Sequence, residues 1–341
     1  RPLHLGPYPP EKLKPATPAI VPDTIPPSQQ LSFSRLDTPH SLVNAMGEYQ
    51  AMMDVIRDGI VNPVRGEVPD DETERADHIK AFGYFQDASL MGICKLSNDT
   101  MLAEKTRNPD IDRLAHDIRT KQTKTLASGI DQIMASLKDS IETPLGDIDG
   151  HTQAIVFLFE NTRPPKASEP GSEWIMDAQP HRAALRATEA AVILSSYLHL
   201  LGFSARAHSA TTSDVDLKKL AVASGVATSE TGKLTAPWIG EDFGLAVVTT
   251  DFAMAVDAPL APLSEQPWSI TSGPGWWIGK DTQKNATNRD LFASRNYADG
   301  GHPFEKLKRV EEPTTFIDEE RVARVPKRAD MFARSQFGDL G

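Results

Sequence analysis

His208 closes the run Ser204-Ala205-Arg206-Ala207-His208, and a hydroxyl-rich stretch of Ser209, Thr211, Thr212 and Ser213 follows it directly. Turns of this composition bind phosphate where they open a helix, through the N–H groups of its first turn. The same residues also cap helices with no ligand at all. Arg206 and Lys218 lie on either side and would add positive charge to such a site, or simply be solvated. A second constellation, His181, Arg182 and Arg186, begins a helical stretch. It combines a proton donor with guanidiniums able to hold a carboxylate or phenolate; the alternative is that these residues coat an exposed first turn. Trp276 and Trp277 could lie over a flat ligand, although adjacent side chains on extended backbone point opposite ways, so at most one would do so. Anchoring of a loop in the core is the other reading.

Other chemistries lack their residues. Cys94 is the single Cys, so no intramolecular disulfide forms, and its setting in LMGICKL reads as that of a buried small hydrophobe. The nine His are scattered, with no short paired spacing and no Cys partners, which leaves no zinc pattern. The sequence has no Gly-rich phosphate loop and no nucleophile elbow.

The elements that must position these groups follow from periodicity. Residues 1–35 form a Pro-rich extended arm, because each Pro removes a donor and biases its predecessor away from helix. Leu42, Met46, Tyr49, Met53, Ile56 and Ile60 recur at helical spacing and predict a helix over 41–60 with that face inward, started around Asp37-Thr38-Pro39. A second helix carries Ile79, Phe82 and Phe85. Strands are expected at Leu90–Leu96, Thr152–Phe159, Ser204–Ser209 and Leu245–Thr250, and a third helix over about 112–141. Ala187, Ala191, Leu194, Leu198 and Leu201 make a long helical stripe that Gly202 ends. Ser213 or Asp214 is expected to cap the helix of LKKLAVASG, which Gly225 closes. Residues 36–262 are therefore read as one core of sheet and covering helices, α+β with an α/β-like alternation, and 263–341 as a turn-rich C-terminal extension.

Composition narrows the partners. Lys plus Arg number 36 against 47 Asp plus Glu, a net charge of −11, which argues against a nucleic-acid backbone and an anionic membrane surface. No apolar run reaches the ~18 residues of a membrane span. A small-molecule ligand and a cytoplasmic location are the expectations that remain.

Four stretches have a familiar wording: FGYFQDASLMGICKL, YLHLLGFSARAH, LKKLAVASGV and FGLAVVTTDFAMAVDAPL. Together, over roughly residues 75–262, they resemble the cobalamin-binding core of the reductive dehalogenases. The resemblance implies a flavin-nitroreductase-like sheet flanked by helices, and cobalamin held by Arg206, His208, Ser209, Thr211, Asp214 and Thr249. His208 would ligate cobalt or contact the corrin tail, or else bond a loop carbonyl with no cofactor present. His181 and Arg186 lie in about the stretch where the family's catalytic residues fall but do not match its motif; on their own chemistry they are the candidates to protonate and hold a small organohalide.

The pattern also departs from the family. After Ala258-Pro259-Leu260, where the family continues into Cys-rich cluster motifs, the sequence runs APLSEQPWSITSGPGWWIGKD. A cubane cluster needs about four thiolates, so no iron–sulfur cluster is expected in this chain, and an iron–sulfur or flavin electron donor would sit on another module. The family's Tyr before the long helix has no counterpart between Tyr84 and Tyr197. These departures resemble the degenerate, cluster-free first copy found in long, soluble members of the family. Three readings stand at this point: a dehalogenase-type oxidoreductase, a non-catalytic copy serving as scaffold or homodimerisation module, and a flavin-dependent reductase.

Overall fold

The computed structural model describes residues 8, 10, 13–19, 21–22, 41–120, 146–161, 171–175, 178–229, 233–262 and 265–266. The chain divides into two compact units, Arg1–Trp276 and Trp277–Gly341, and all described residues lie in the first. Most of the arm, the predicted helix beyond residue 120, Trp276, Trp277 and nearly all of the C-terminal extension lie outside the described residues.

In chain order the elements are α1 (Leu42–Val55), α2 (Glu72–Phe85), β1 (Leu90–Lys95), β2 (Met101–Thr106), α3 (Asp110–Thr120), β3 (Gln153–Glu160), α4 (Ser172–Ile175), α5 (Gln179–Leu200), β4 (Ala205–His208), β5 (Ser213–Val215), α6 (Leu217–Ala223), β6 (Thr228–Ser229), β7 (Leu234–Thr235) and β8 (Phe243–Thr250). The main sheet has the order β1-β3-β8-β4, with every pair antiparallel. Its central strands, QAIVFLFE and FGLAVVTT, pair from Gln153↔Thr250 to Glu160↔Phe243. Both are apolar on both faces because both faces are covered. α5 packs across β8, β4 and β3, and α6 packs against β8, β1 and β3. The class is α+β.

The helical stripe of α5 is inward as its spacing predicts: Ala187, Ala191, Leu194 and Leu198 are fully buried. Leu194 and Leu198 together contribute about 3–6 kcal/mol by leaving water. The small residues of this face let the helix approach very closely. A Cβ on Gly244 of β8 would lie 2.6 Å from Ala183 C and Ala184 N. Another on Gly92 of β1 would lie 2.3 Å from Ser224 O, just beyond α6. Gly202 and Gly225, both at positive φ, end α5 and α6 as expected.

α1 departs from its predicted orientation. It ends at Val55, and Leu42, Tyr49, Ile56 and Ile60 are exposed. The buried side carries Val43, Asn44, Gly47, Gln50, Ala51, Asp54 and Val55. That side meets a polar interior where Gln50 and Asp54 find partners, so hydrogen bonding outweighs the alternative of burying four apolar side chains. The cap is Ser41, whose Oγ accepts from Asn44 N at 3.1 Å, rather than the Asp37-Thr38-Pro39 segment. Of the apolar residues of α2, Ile79 is buried and Phe85 is exposed. α6 is capped by Asp216, which accepts from Lys218 N at 3.0 Å and Lys219 N at 3.2 Å; Ser213 and Asp214 instead lie in β5. β5 pairs with β2, which periodicity did not reveal because β2 exposes Glu104 and Lys105.

Candidate functional site

β4 alternates its side chains. Ala205 and Ala207 enter the apolar core under α5, and Arg206 and His208 therefore share the opposite face. The turn 209–212 and β5 fold back over that face, and the last turn of α1 closes it. Arg57 O accepts from Ala207 N at 2.9 Å, which ties the end of α1 to β4.

Two carboxylates organise the interior. Asp54 Oδ1 accepts from Ser209 Oγ at 2.6 Å and Gln50 Nε2 at 2.9 Å, and Oδ2 accepts from Thr211 Oγ1 at 2.5 Å and Asn108 Nδ2 at 2.9 Å. Burial pushes this carboxyl above its ordinary range, and the four donors oppose that without cancelling it. Asp214 is held by two guanidiniums, Arg57 Nη2 at 3.1 Å and Arg206 Nη1 at 2.8 Å. Burial disfavours its charge, but these cations outweigh it and bring the carboxyl down to about 2. Arg206 also donates Nε (2.9 Å) and Nη2 (2.6 Å) to Asp58 Oδ2, and Nη2 to Gly146 O at 2.7 Å.

His208 joins this cluster to the sheet. Its Nδ1 accepts from Asp214 N at 3.2 Å, so the proton sits on Nε2, which donates to Thr249 Oγ1 at 2.9 Å. Thr249 in turn donates to His151 Nδ1 at 2.8 Å, and His151 Nε2 donates to Ser204 Oγ at 2.9 Å. Burial and the neighbouring Arg57 keep the His208 imidazole neutral, its pKa well below the ordinary 6.5; burial and Arg206 lower His151 as well.

The structure therefore brings Arg206, His208, Ser209, Thr211, Asp214 and Thr249 into one network, and each is 8% exposed or less. Their polar atoms are engaged with one another and with α1. The hydroxyl-rich turn does not open a helix, contrary to the phosphate-binding expectation. It closes on itself: Thr211 N and Thr212 N donate to Ser209 Oγ at 3.2 and 2.9 Å, and Ser209 N donates to Thr212 O at 2.8 Å. His208 bonds a backbone N–H and a threonine hydroxyl rather than a loop carbonyl.

His181 and Arg186 lie elsewhere, at the start of α5. Arg186 Nη2 reaches Asp87 Oδ2 at 2.8 Å and Gln86 O at 3.3 Å. Ala183 packs over Gly244, five residues along β8 from Thr249, or about 16 Å at strand rise. Cys94 is buried 3.8 Å from Leu220 O, and burial pushes its thiol up to about 12, as suits a small hydrophobe.

Sequence reasoning missed Gln50 and Asp54 on α1, Arg57 and Asp58 just beyond it, Asn108, and His151. A signal existed for the first group. Asn44, Gly47, Gln50, Asp54 and Asp58 recur every three or four residues, a polar and small stripe as regular as the apolar one of Leu42, Met46, Tyr49 and Met53.

No family model matches the sequence, and no curated protein matches it. Solved structures do match. The catabolic reductive dehalogenase NpRdhA is 32% identical over 100% of this chain and 42% of its own, with a TM-score of 0.63. The same enzyme in complex with 3-bromo-4-hydroxybenzoic acid matches with identical coverage and a TM-score of 0.64. So does a reductive dehalogenase whose structure suggests a mechanism for B12-dependent dehalogenation, again 32% identical and at 0.64. The chain spans 42% of the length of each of these relatives.

Proposed function

We propose that this chain, which is related along its whole length to the reductive dehalogenases, serves organohalide reduction as a non-catalytic copy of their nitroreductase-like, cobalamin-binding fold. It acts as a scaffold for a module that carries the cofactor and the electron-transfer clusters. One observation carries this reading. All six candidate residues of the cobalamin cradle are buried and turned on one another, with Asp54 of α1 and Arg57 and Asp58 just beyond it occupying the ground in front of them.

A corrin needs backbone and side-chain groups presented to an open face. Here Ser209, Thr211 and His208 spend their hydrogen-bonding capacity inside the protein, and Arg206 spends its on Asp58, Asp214 and Gly146 O. The residues present do not fit cobalamin. The single Cys supports the same reading, because cluster-borne electrons would require about four thiolates from elsewhere. So does the separation of Arg186 from the network, since a proton donor and anion clamp there would not face the same ligand.

The test is an absorption titration of the purified chain with hydroxocobalamin, with flavin mononucleotide run in parallel. The expected result is no saturable change in either spectrum on a folded sample. A saturable shift of the corrin bands to a base-off spectrum would overturn the scaffold reading and restore a dehalogenase-type cofactor site. A saturable flavin shift would restore the reductase reading.

A further inference from the structure

The N-terminal arm carries one side chain deep into the molecule. Tyr8 is fully buried, its ring stacked on Trp238 with centroids 5.5 Å apart and planes 7° from parallel. Its hydroxyl donates to Glu160 Oε2 at the end of β3. The arm is fastened independently of this insertion. Ala16 N donates to Pro259 O at 2.7 Å, Ala261 N donates to Lys14 O at 2.9 Å, and Gln266 brackets Lys14 from both sides. Those anchors begin at Lys14, six residues beyond Tyr8, a distance of at most about 20 Å that the turn bond from Leu13 N to Pro10 O at 3.0 Å shortens. Tyr8 lies in no strand, and the Pro-rich segment that joins it to the anchors has few backbone donors with which to hold itself down.

The walls around the ring do not depend on the arm. Trp238 sits in the turn Ala236–Gly240, closed by Ala236 N to Gly240 O at 2.8 Å and Gly240 N to Ala236 O at 2.9 Å. Its φ of +64 is an uncommon backbone conformation for so large a residue, and the turn holds it there. Glu160 is fixed by β3–β8 pairing opposite Phe243, and its own N–H donates to Ser89 Oγ at 3.0 Å. An aromatic face set opposite a carboxylate acceptor matches a phenol: the ring stacks and the hydroxyl donates.

We propose that the cleft between Trp238 and Glu160 is a binding site for free, uncharged phenols, which Tyr8 occupies in cis. Such a site needs no cofactor and is the same in a scaffold and in an enzyme. The chemistry sets the selectivity. A neutral phenol donates to Glu160 as Tyr8 does, a phenyl ether has nothing to donate, and a phenolate meets a carboxylate of like charge. Phenols made acidic by several halogens should therefore bind less well than phenol or a monohalogenated phenol. A tether of this length presents Tyr8 at an effective concentration on the order of millimolar, so free phenol has to reach that range to displace it.

The test uses the full chain at pH 8. Tyr8→Ala should bind phenol saturably in ligand-observed NMR, bind anisole at least tenfold more weakly, and lose phenol binding when Glu160→Ala is added. In the unsubstituted chain, phenol should speed tryptic cleavage at Lys12–Leu13 several-fold, and anisole should not. A folded Tyr8→Ala protein that binds no phenol, or binds phenol and anisole equally, overturns the proposal. Tyr8→Phe keeps the ring and loses only the donor, so it guards against a variant that fails to fold. It should release the arm to trypsin several-fold faster, with a further increase on adding phenol. Cleavage that phenol leaves unchanged in both the Tyr8→Phe and unsubstituted chains also overturns it.

Discussion

Replacing Arg206 with Met separates a structural polar interior from a ligand site. Arg206 makes four hydrogen bonds to Asp58, Asp214 and Gly146 O, and its side chain is only 4% exposed. Met fills similar volume and removes the charge. The Asp58 side of the bridge is the more exposed and is worth up to about 1 kcal/mol. The Asp214 side matters more. That carboxylate would remain buried with Arg57 alone, and breaking a buried pair by removing one partner costs about 3–5 kcal/mol. A loss of about 4 kcal/mol is a large share of the roughly 5–15 kcal/mol that hold a domain together. With a urea dependence of about 2–3 kcal/mol per molar, the unfolding midpoint should fall by about 1.5 M. Arg206→Lys keeps the charge but not the fork that spans two carboxylates, and should fall by about half as much. The assay is urea denaturation followed by circular dichroism, with a hydroxocobalamin titration on each variant. A Met variant as stable as the parent, altered only in its uptake of the corrin, would refute the structural assignment.

Four other places in the structure give expected outcomes of their own. Burial pushes the Glu160 carboxyl up to about 7 against the Tyr8 hydroxyl, so the folded chain keeps a proton that the unfolded chain releases from 4.5 upward. This contribution is full below about pH 4.5 and is lost as pH rises through 7, so Glu160→Gln should melt with the parent near pH 5 and above it at pH 8, by about 1–2 kcal/mol after allowing for partial exposure. His208 acts in the opposite direction. Its pKa lies well below 6.5, so its contribution is present above that pH and is lost on acidification, and the NMR shift of its ring should stay flat through pH 6.5. Gly244→Ala forces a Cβ to within 2.6 Å of the α5 backbone and should cost about 2–3 kcal/mol, whereas Gly150→Ala, with nothing within 4 Å, should stay within about 0.5 kcal/mol; chemical denaturation of both decides it. Cys94 should resist a thiol reagent at pH 8 in the native protein and react fully once unfolded.

What was legible in the sequence was what local pattern encodes. β3 and β8 announce themselves as continuous apolar runs because a sheet covered on both faces has no polar side to show. α5 is legible because its stripe of Ala and Leu is long and its end carries a glycine at positive φ. α1 misled because burial of apolar residues is a one-way rule: a helix can leave Leu42, Tyr49 and Ile56 in water if its other face is claimed by hydrogen bonds. The same residues explain why only half of the site could be read. Arg206 to Asp214 form one short segment, whereas Asp54, Arg57 and Asp58 lie some 150 residues earlier, and no periodicity links a carboxylate to the hydroxyl that will donate to it.

The missed half changes what the legible half means. Hydroxyls, an imidazole and a guanidinium in sequence after a strand look like a cradle awaiting an anion or a cofactor. With α1 in place, each has an internal partner, and the cluster instead fixes how α1, β4 and β5 sit on one another. A buried carboxylate with four donors tolerates little displacement, because each donor left without it costs about 1–3 kcal/mol. A ligand entering between α1 and β4 would have to replace all of those bonds at once. The chain therefore commits this region to rigidity, whereas Tyr8, stacked on Trp238 and bonded to Glu160, makes a contact whose chemistry an outside phenol can reproduce.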